Sequence, residues 1–184
     1  MTSDLVERAQ RGDHEAFDAL AGATYHRLYA IATRILRDGY AAEDAVQDAL
    51  VRAWRDLHGL RDRDKFDAWL HRLLVNACRD QVRRRRRRPF EVSVLPTDRA
   101  TAVDELAQLV DRDELERAFL KLSVEQRAAL VLTHYVGLSA PEVGAILGIP
   151  AGTVHSRIHY GARAMRAVIA SSSGTPSVSP EPGR

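Results

Sequence analysis

Residues Leu138–Arg166 read LSAPEVGAILGIPAGTVHSRIHYGARAMR, and the rest of the chain is best understood outward from them. Ser139 is a good N-cap and Glu142, three positions on, completes a capping box, so a helix starts there. Pro141 lies in the first turn, where its missing N–H removes no hydrogen bond. Val143, Ile146 and Leu147 supply a buried stripe. Gly148 permits a sharp turn, Ile149 plugs the gap between two helices, and Pro150 helps to start the second. In that helix Val154 and Ile158 face inward, which leaves Thr153, His155, Ser156, Arg157, His159 and Tyr160 outward. Two helices joined by a tight glycine turn, the second with a basic, hydrogen-bonding outer face, suit reading of a DNA major groove. An ordinary helical hairpin is the alternative for this segment taken alone.

The 184-residue chain is long enough for one mid-sized domain or two small ones, and 45% hydrophobic content can fill their cores. No stretch has the pattern of a signal peptide or the apolar length to span a bilayer, so a cytoplasmic protein without membrane insertion is expected. Cys78 is the single cysteine, which excludes an internal disulfide and argues against structural zinc. Its apolar surroundings make it a small core residue.

Charge divides the chain. Residues 1–88 carry 18 basic and 14 acidic side chains, residues 89–116 carry 2 and 8, and residues 117–170 carry 6 and 2. Two basic blocks thus flank an acidic connector, as expected of two nucleic-acid-facing modules joined by a segment that avoids DNA.

The periodicity is helical throughout, so the expected fold is all-α. Phe17, Leu20, Thr24, Leu28, Ile31 and Ile35 form one stripe. Val46, Ala49, Leu50, Ala53, Trp54 and Leu57 form a second, and Phe66, Trp69, Leu70, Leu73, Leu74 and Ala77 a third. With a short helix near the N-terminus they close a small bundle ending near Arg88. A helix over Glu114–Leu122, then one capped by Ser123 and Gln126 and running through Tyr135, precede the helix-turn-helix. The expected layout is a bundle over 1–88, an acidic linker over 89–112, a helix-turn-helix module over 113–170 and a disordered tail over 171–184.

Two polar faces of the bundle stand out. Arg72, Asn76, Arg79, Asp80 and Arg83 recur at helical spacing opposite the third stripe and run into the arginines Arg83–Arg88. Fixed arginines neutralise phosphates, and an asparagine among them can meet a base edge; a solvated helix face is the bland alternative. The second helix presents Glu43, Asp44, Gln47, Asp48, Arg52 and Arg55 off its stripe. Its acidic half complements the helix dipole. Beside a DNA-facing helix, that surface is better suited to a basic protein partner.

The order GDHEAFDAL, AEDAVQDALVRAW, FDAWLHRLLVNACRD, acidic linker, LSVEQRAALVL and LSAPEVGAILGIPAGTVHSRI resembles the sigma-70 family, and within it the short extracytoplasmic-function (ECF) group that keeps regions 2 and 4. The resemblance covers roughly residues 4–170. It implies a subunit that directs RNA polymerase core to selected promoters and melts the −10 element, with no enzymatic activity and no cofactor of its own. By position it implies core-polymerase docking through Asp44, Gln47, Asp48, Arg52 and Arg55. It implies −10 contacts through Arg72, Asn76, Arg79, Arg83 and Arg84, with Asn76 in the base pocket and Leu60–Lys65 as the pocket wall. It implies −35 reading by Thr153, His155, Ser156, Arg157, His159 and Tyr160, and an anti-sigma protein as a further partner. At His155 and Tyr160 the family often has basic residues, and at Asp80 an uncharged one.

Enzyme motifs are missing from the sequence: no HExxH, glycine-rich phosphate loop, GxSxG or paired cysteines. His155 and His159 have chelating spacing but no third ligand nearby, so no metal is expected. The alternative of another class is a stand-alone helix-turn-helix regulator, which would bind promoter DNA tightly by itself.

Overall fold

The computed structural model describes residues 2–87 and 115–172, and every regular element among them is helical. The first module holds α1 (Thr2–Gln10), α2 (His14–Leu36), α3 (Gly39–Asp56) and α4 (Phe66–Arg87). The second holds α5 (115–120), α6 (Val124–Leu130), a π-helical turn (Val131–Tyr135), α7 (Ala140–Leu147) and α8 (Ala151–Ser172). The linker, the end of the arginine run at Arg88 and residues 173–184 lie outside the described residues. The tail expected from residue 171 gives its first two residues to α8.

In the first module, aspartates start the helices. Asp13 caps α2 by accepting the Ala16 N–H at 3.0 Å, and Asp38 caps α3 by accepting the Ala41 N–H at 2.8 Å. Between α2 and α3 stands Arg37, whose left-handed backbone (φ 58°) lets its N–H bond back to Thr33. A non-glycine residue is costly there, by roughly 1 kcal/mol, and persists only where its surroundings hold it.

The buried face of α3 is nearly all alanine: Ala41, Ala42, Ala45, Ala49 and Ala53, with Val46. Small side chains let α2 and α4 approach α3 closely, and both pack on it. Leu20, Leu28, Ile31, Ile35, Leu70 and Leu74 fill the space between. All three expected stripes turn inward; Phe17, Leu50, Trp54, Trp69 and Leu73 lie at their partly buried margins.

In the second module the Ser123–Gln126 box closes both ways: the Gln126 N–H reaches Ser123 Oγ at 3.2 Å, and the Ser123 N–H reaches Gln126 Oε1 at 2.9 Å. At Ser139 the carboxylate does the work. Glu142 Oε2 accepts from the Ser139 backbone N–H at 2.8 Å and from its hydroxyl at 2.5 Å. Gly148 adopts φ 69°, as the turn requires. The helix expected through Tyr135 ends sooner in regular α form. From Val131 it widens, with the Val136 N–H bonding to Val131 O at 3.0 Å.

The packing between the two modules goes beyond what their separate apolar stripes predict. α4 packs against α6 and α7, and α2 packs against α6 and the π turn, so the modules share a seam. The Arg34 guanidinium sits 3.8 Å from the centroid of the Tyr135 ring, and Arg37 pairs with Glu116. Val75, Cys78 and Gln81 widen the buried face of α4 beyond its single expected stripe. Burial raises the Cys78 thiol to about 12, which keeps it protonated and unreactive.

Candidate nucleic-acid interface

The polar face of α4 has the composition expected and a geometry that was not. Arg72 and Arg83 are exposed, while Asn76, Arg79 and Asp80 are half-buried. Arg79 donates to Asn76 Oδ1 at 3.1 Å, which fixes the asparagine carboxamide against a cation. Burial, with Arg157 and Arg83 nearby, pushes the Arg79 guanidinium below its usual value, and Glu125 opposes that shift. Arg83 pairs with Asp80, and Arg84 with Asp48 at 3.2 Å.

Beside this face lies the loop from Leu57 to Lys65, strapped down by α1. The Gln10 carboxamide donates to the Leu57 and Leu60 carbonyls at 3.1 and 2.7 Å. Arg63 donates to Gln10 Oε1 at 3.0 Å and to Glu7 at 2.9 Å, and Ser3 donates to Asp64 at 2.8 Å. The first helix therefore fixes the loop Leu60–Lys65. No local pattern announced those ties, because the partners are more than 45 residues apart.

On α3, Asp44 and Gln47 are exposed and stand off the core. Asp48 is half-buried, as is Arg52, whose guanidinium reaches Asp80 on α4 at 2.8 Å. Arg55 pairs with its neighbour Asp56 at 2.8 Å. The acidic and basic halves of α3 are thus not presented alike. Its N-terminal half is open, and its C-terminal half is engaged with α4 or with itself. Val51 adds a 68% exposed apolar side chain to the same helix.

Five of the six outward residues of α8 are exposed: Thr153, His155, Ser156, His159 and Tyr160. The Ser156 hydroxyl donates to the Gly152 carbonyl at 3.0 Å, and His159 and Tyr160 meet edge to face. Arg157 departs from the expectation. It is half-buried with one terminal nitrogen fully covered and unpartnered, close enough to Arg79 to disfavour that residue's charge. Arg127 behaves likewise: burial and the nearby Arg37 push its guanidinium below the usual value, Glu125 opposes, and its Nε has no partner.

Gly144, which sequence reasoning passed over, sets the spacing of the helix pair. A Cβ there would lie 2.7 Å from the Ile149 carbonyl oxygen, so α7 can approach the turn this closely only through a glycine. Between α2 and the second module a groove of about 470 Å³ is lined by Phe119, Leu130, Val131, Tyr135 and Met165, with Arg34 at its rim. Among the described residues no group of three metal-ligating side chains occurs, and no helix is long and apolar enough to cross a membrane.

Comparison with known proteins gives this geometry a lineage. Residues 20–88 match Sigma-70 region 2 and residues 112–165 match Sigma-70, region 4. The chain is 34% identical to the RNA polymerase sigma-H factor of Pseudomonas aeruginosa, over 84% of this chain and 86% of that one. It is 35% identical to the ECF RNA polymerase sigma factor SigM of Mycobacterium tuberculosis, over 84% and 78%. Its fold matches CnrH in complex with the cytosolic domain of CnrY at a TM-score of 0.67 and 27% identity, covering 92% of this chain and 97% of that one. It matches RpoE, in complex with the anti-sigma factor NepR from Bartonella quintana, at 0.67 and 25%, covering 84% and 96%. Two family matches in the right order, with relatives above 30% identity aligned along most of their lengths, place the chain in the ECF group of the sigma-70 family.

Proposed function

We propose that this chain directs RNA polymerase core to a subset of promoters, using the first module to dock and to open the −10 element and the second to read the −35 element. The observation that carries the proposal is the division of surfaces. An open acidic half-helix at Asp44 and Gln47 stands beside a fixed arginine and asparagine face on α4, and a separate reading helix presents Thr153, His155, Ser156, His159 and Tyr160. Asn76, oriented by Arg79, is the base-contacting residue of the −10 pocket, whose wall is the loop held by Gln10. Extruding a base costs a few kcal/mol, offset by pocket contacts and by phosphates on Arg72, Arg79, Arg83 and Arg84. No nucleotide hydrolysis by the chain is required.

The two elements lie about 25 base pairs apart, roughly 85 Å at 3.4 Å per base pair. The seam must therefore part before both are read, which releases Arg79 and Arg157 together. None of Arg79, Arg127 and Arg157 has a carboxylate partner among the described residues, so the parting breaks no ion pair of theirs. An anti-sigma protein that held the modules together would keep the chain silent. The neighbouring structure of the sigma factor RpoE with the anti-sigma factor NepR supports that partner, and the apolar groove beside Tyr135 is its proposed seat.

Reconstitution with core polymerase tests the division. Asn76→Ala should keep core binding and lose −10 opening in a permanganate footprint, whereas Asp44→Lys should lose co-purification with core. Opening by Asn76→Ala equal to that of the unmodified chain would remove the base-pocket role, and core binding retained by Asp44→Lys would remove the docking surface.

A further inference from the structure

The helices assigned to different partners are tied to each other by charge. Asp80 is shared: Arg52 of α3 reaches it at 2.8 Å, and Arg83, one turn along α4, pairs with its other oxygen. One turn up α3 from Arg52, Asp48 holds Arg84 at 3.2 Å. The two carboxylates are partly covered, with side chains 22% and 34% exposed, while Arg83 and Arg84 are 68% and 61% exposed. Burial alone would raise the Asp80 carboxyl, but hydrogen bonds from Arg52 and Arg83 hold it below the usual range, so it remains an anion. The arrangement puts partly covered acids beneath exposed cations.

We propose that Asp48 and Asp80 are built-in counter-ions for the phosphate-binding arginines Arg84 and Arg83, restraining the free chain's affinity for DNA, and that polymerase docking on α3 lifts the restraint at Asp48. This rests on the reading of α4 as the DNA face and α3 as the docking face. A phosphate that approaches Arg83 or Arg84 must displace a carboxylate already there. It gains only the difference between two charge-assisted bonds. Exposed ion pairs are weak enough to exchange readily, which suits a restraint that has to be released. A basic partner group arriving at Asp48 takes that carboxylate and leaves Arg84 to the DNA. Asp80 is then a positioning residue, and its place among arginines is explained by what it holds rather than by a contact of its own with DNA.

Fluorescence anisotropy of the full chain with a labelled single-stranded 20-mer, across a salt series, tests this. Asp48→Asn and Asp80→Asn should each tighten binding by the free chain roughly twofold to fivefold. The slope of log affinity against log salt should steepen by about 0.7 per arginine released onto the single strand. Asp18→Asn, an exposed acid on α2, controls for net charge and should change little. In the complex with core polymerase the gain from Asp48→Asn should vanish. Carboxamide variants that bind no more tightly than the unmodified chain, or no more tightly than Asp18→Asn, would overturn the proposal. Arg83→Ala and Arg84→Ala separate the two levels: if neither weakens binding, α4 is not the DNA face and the underlying reading fails; if they weaken it while the carboxamides do nothing, the counter-ion role alone fails.

Discussion

The two modules present their proposed nucleic-acid faces under opposite electrostatic terms. On α4 the exposed arginines Arg83 and Arg84 are answered by carboxylates from their own helix and from α3. On α8 no arginine is in an ion pair among the described residues, and the outward side chains are mostly neutral hydrogen-bonding groups. The first face is rich in charge and restrained; the second carries less charge and is open. A face proposed to bind melted DNA only after docking would benefit from a restraint. A face that sorts base sequences in intact duplex benefits more from directional donors and acceptors than from indiscriminate charge.

Three substitutions or titrations would break or sharpen that contrast. The largest expected effect is in the second module. Gly144→Ala in a helix interior should ordinarily stabilise by up to about 1 kcal/mol. Here the added Cβ meets the Ile149 carbonyl oxygen at 2.7 Å, so backbone must shift. Overpacking of this kind costs about 1–3 kcal/mol, and the sign should reverse to a net loss. Thermal unfolding should show that loss together with weakened −35 binding, while core co-purification persists. A more stable variant would show that the turn is looser than described.

The next effect is in the first module and depends on pH. His71 is 4% exposed on α4; burial first, then Arg27, lowers its pKa to about 4, with Asp67 opposing. Protonation therefore favours the unfolded chain, where histidine titrates near 6.5. The folded state binds fewer protons between those values, so stability is full above the unfolded pKa and declines as pH falls toward about 4. From pH 8 to pH 5 the loss from this residue should be about 2 kcal/mol. Urea denaturation at both pH values should show it, and His71→Leu should flatten the difference. An unchanged slope in that variant would assign the effect to the carboxylates instead.

The smallest effects belong to the counter-ions at Asp48 and Asp80, where affinity moves severalfold and folding barely at all.

Much of this was legible in the sequence because it is local. Caps, the Gly148 turn and the three apolar stripes depend on spacings of one to seven residues, and the ECF resemblance added order along the chain. What could not be read depends on pairs that meet only in three dimensions. Arg52 meets Asp80 across 28 residues and Arg84 meets Asp48 across 36, with no period to announce them. Arg157 looked outward on its own helix and is half-covered, with Arg79 of the other module nearby. His71 lies beside Val75 and Cys78, off the expected apolar stripe of α4, without a pattern to mark its burial. Gly144 sits between two apolar residues and gives no hint that a carbonyl lies 2.7 Å from its missing Cβ.

The most direct measurement is run-off transcription with purified core polymerase over a promoter library. The account predicts that core alone yields no discrete start sites, and that adding this chain yields defined transcripts from a small set of templates sharing −10 and −35 elements. Tight binding of the chain alone to promoter DNA, with no start-site selection when core is supplied, would contradict it.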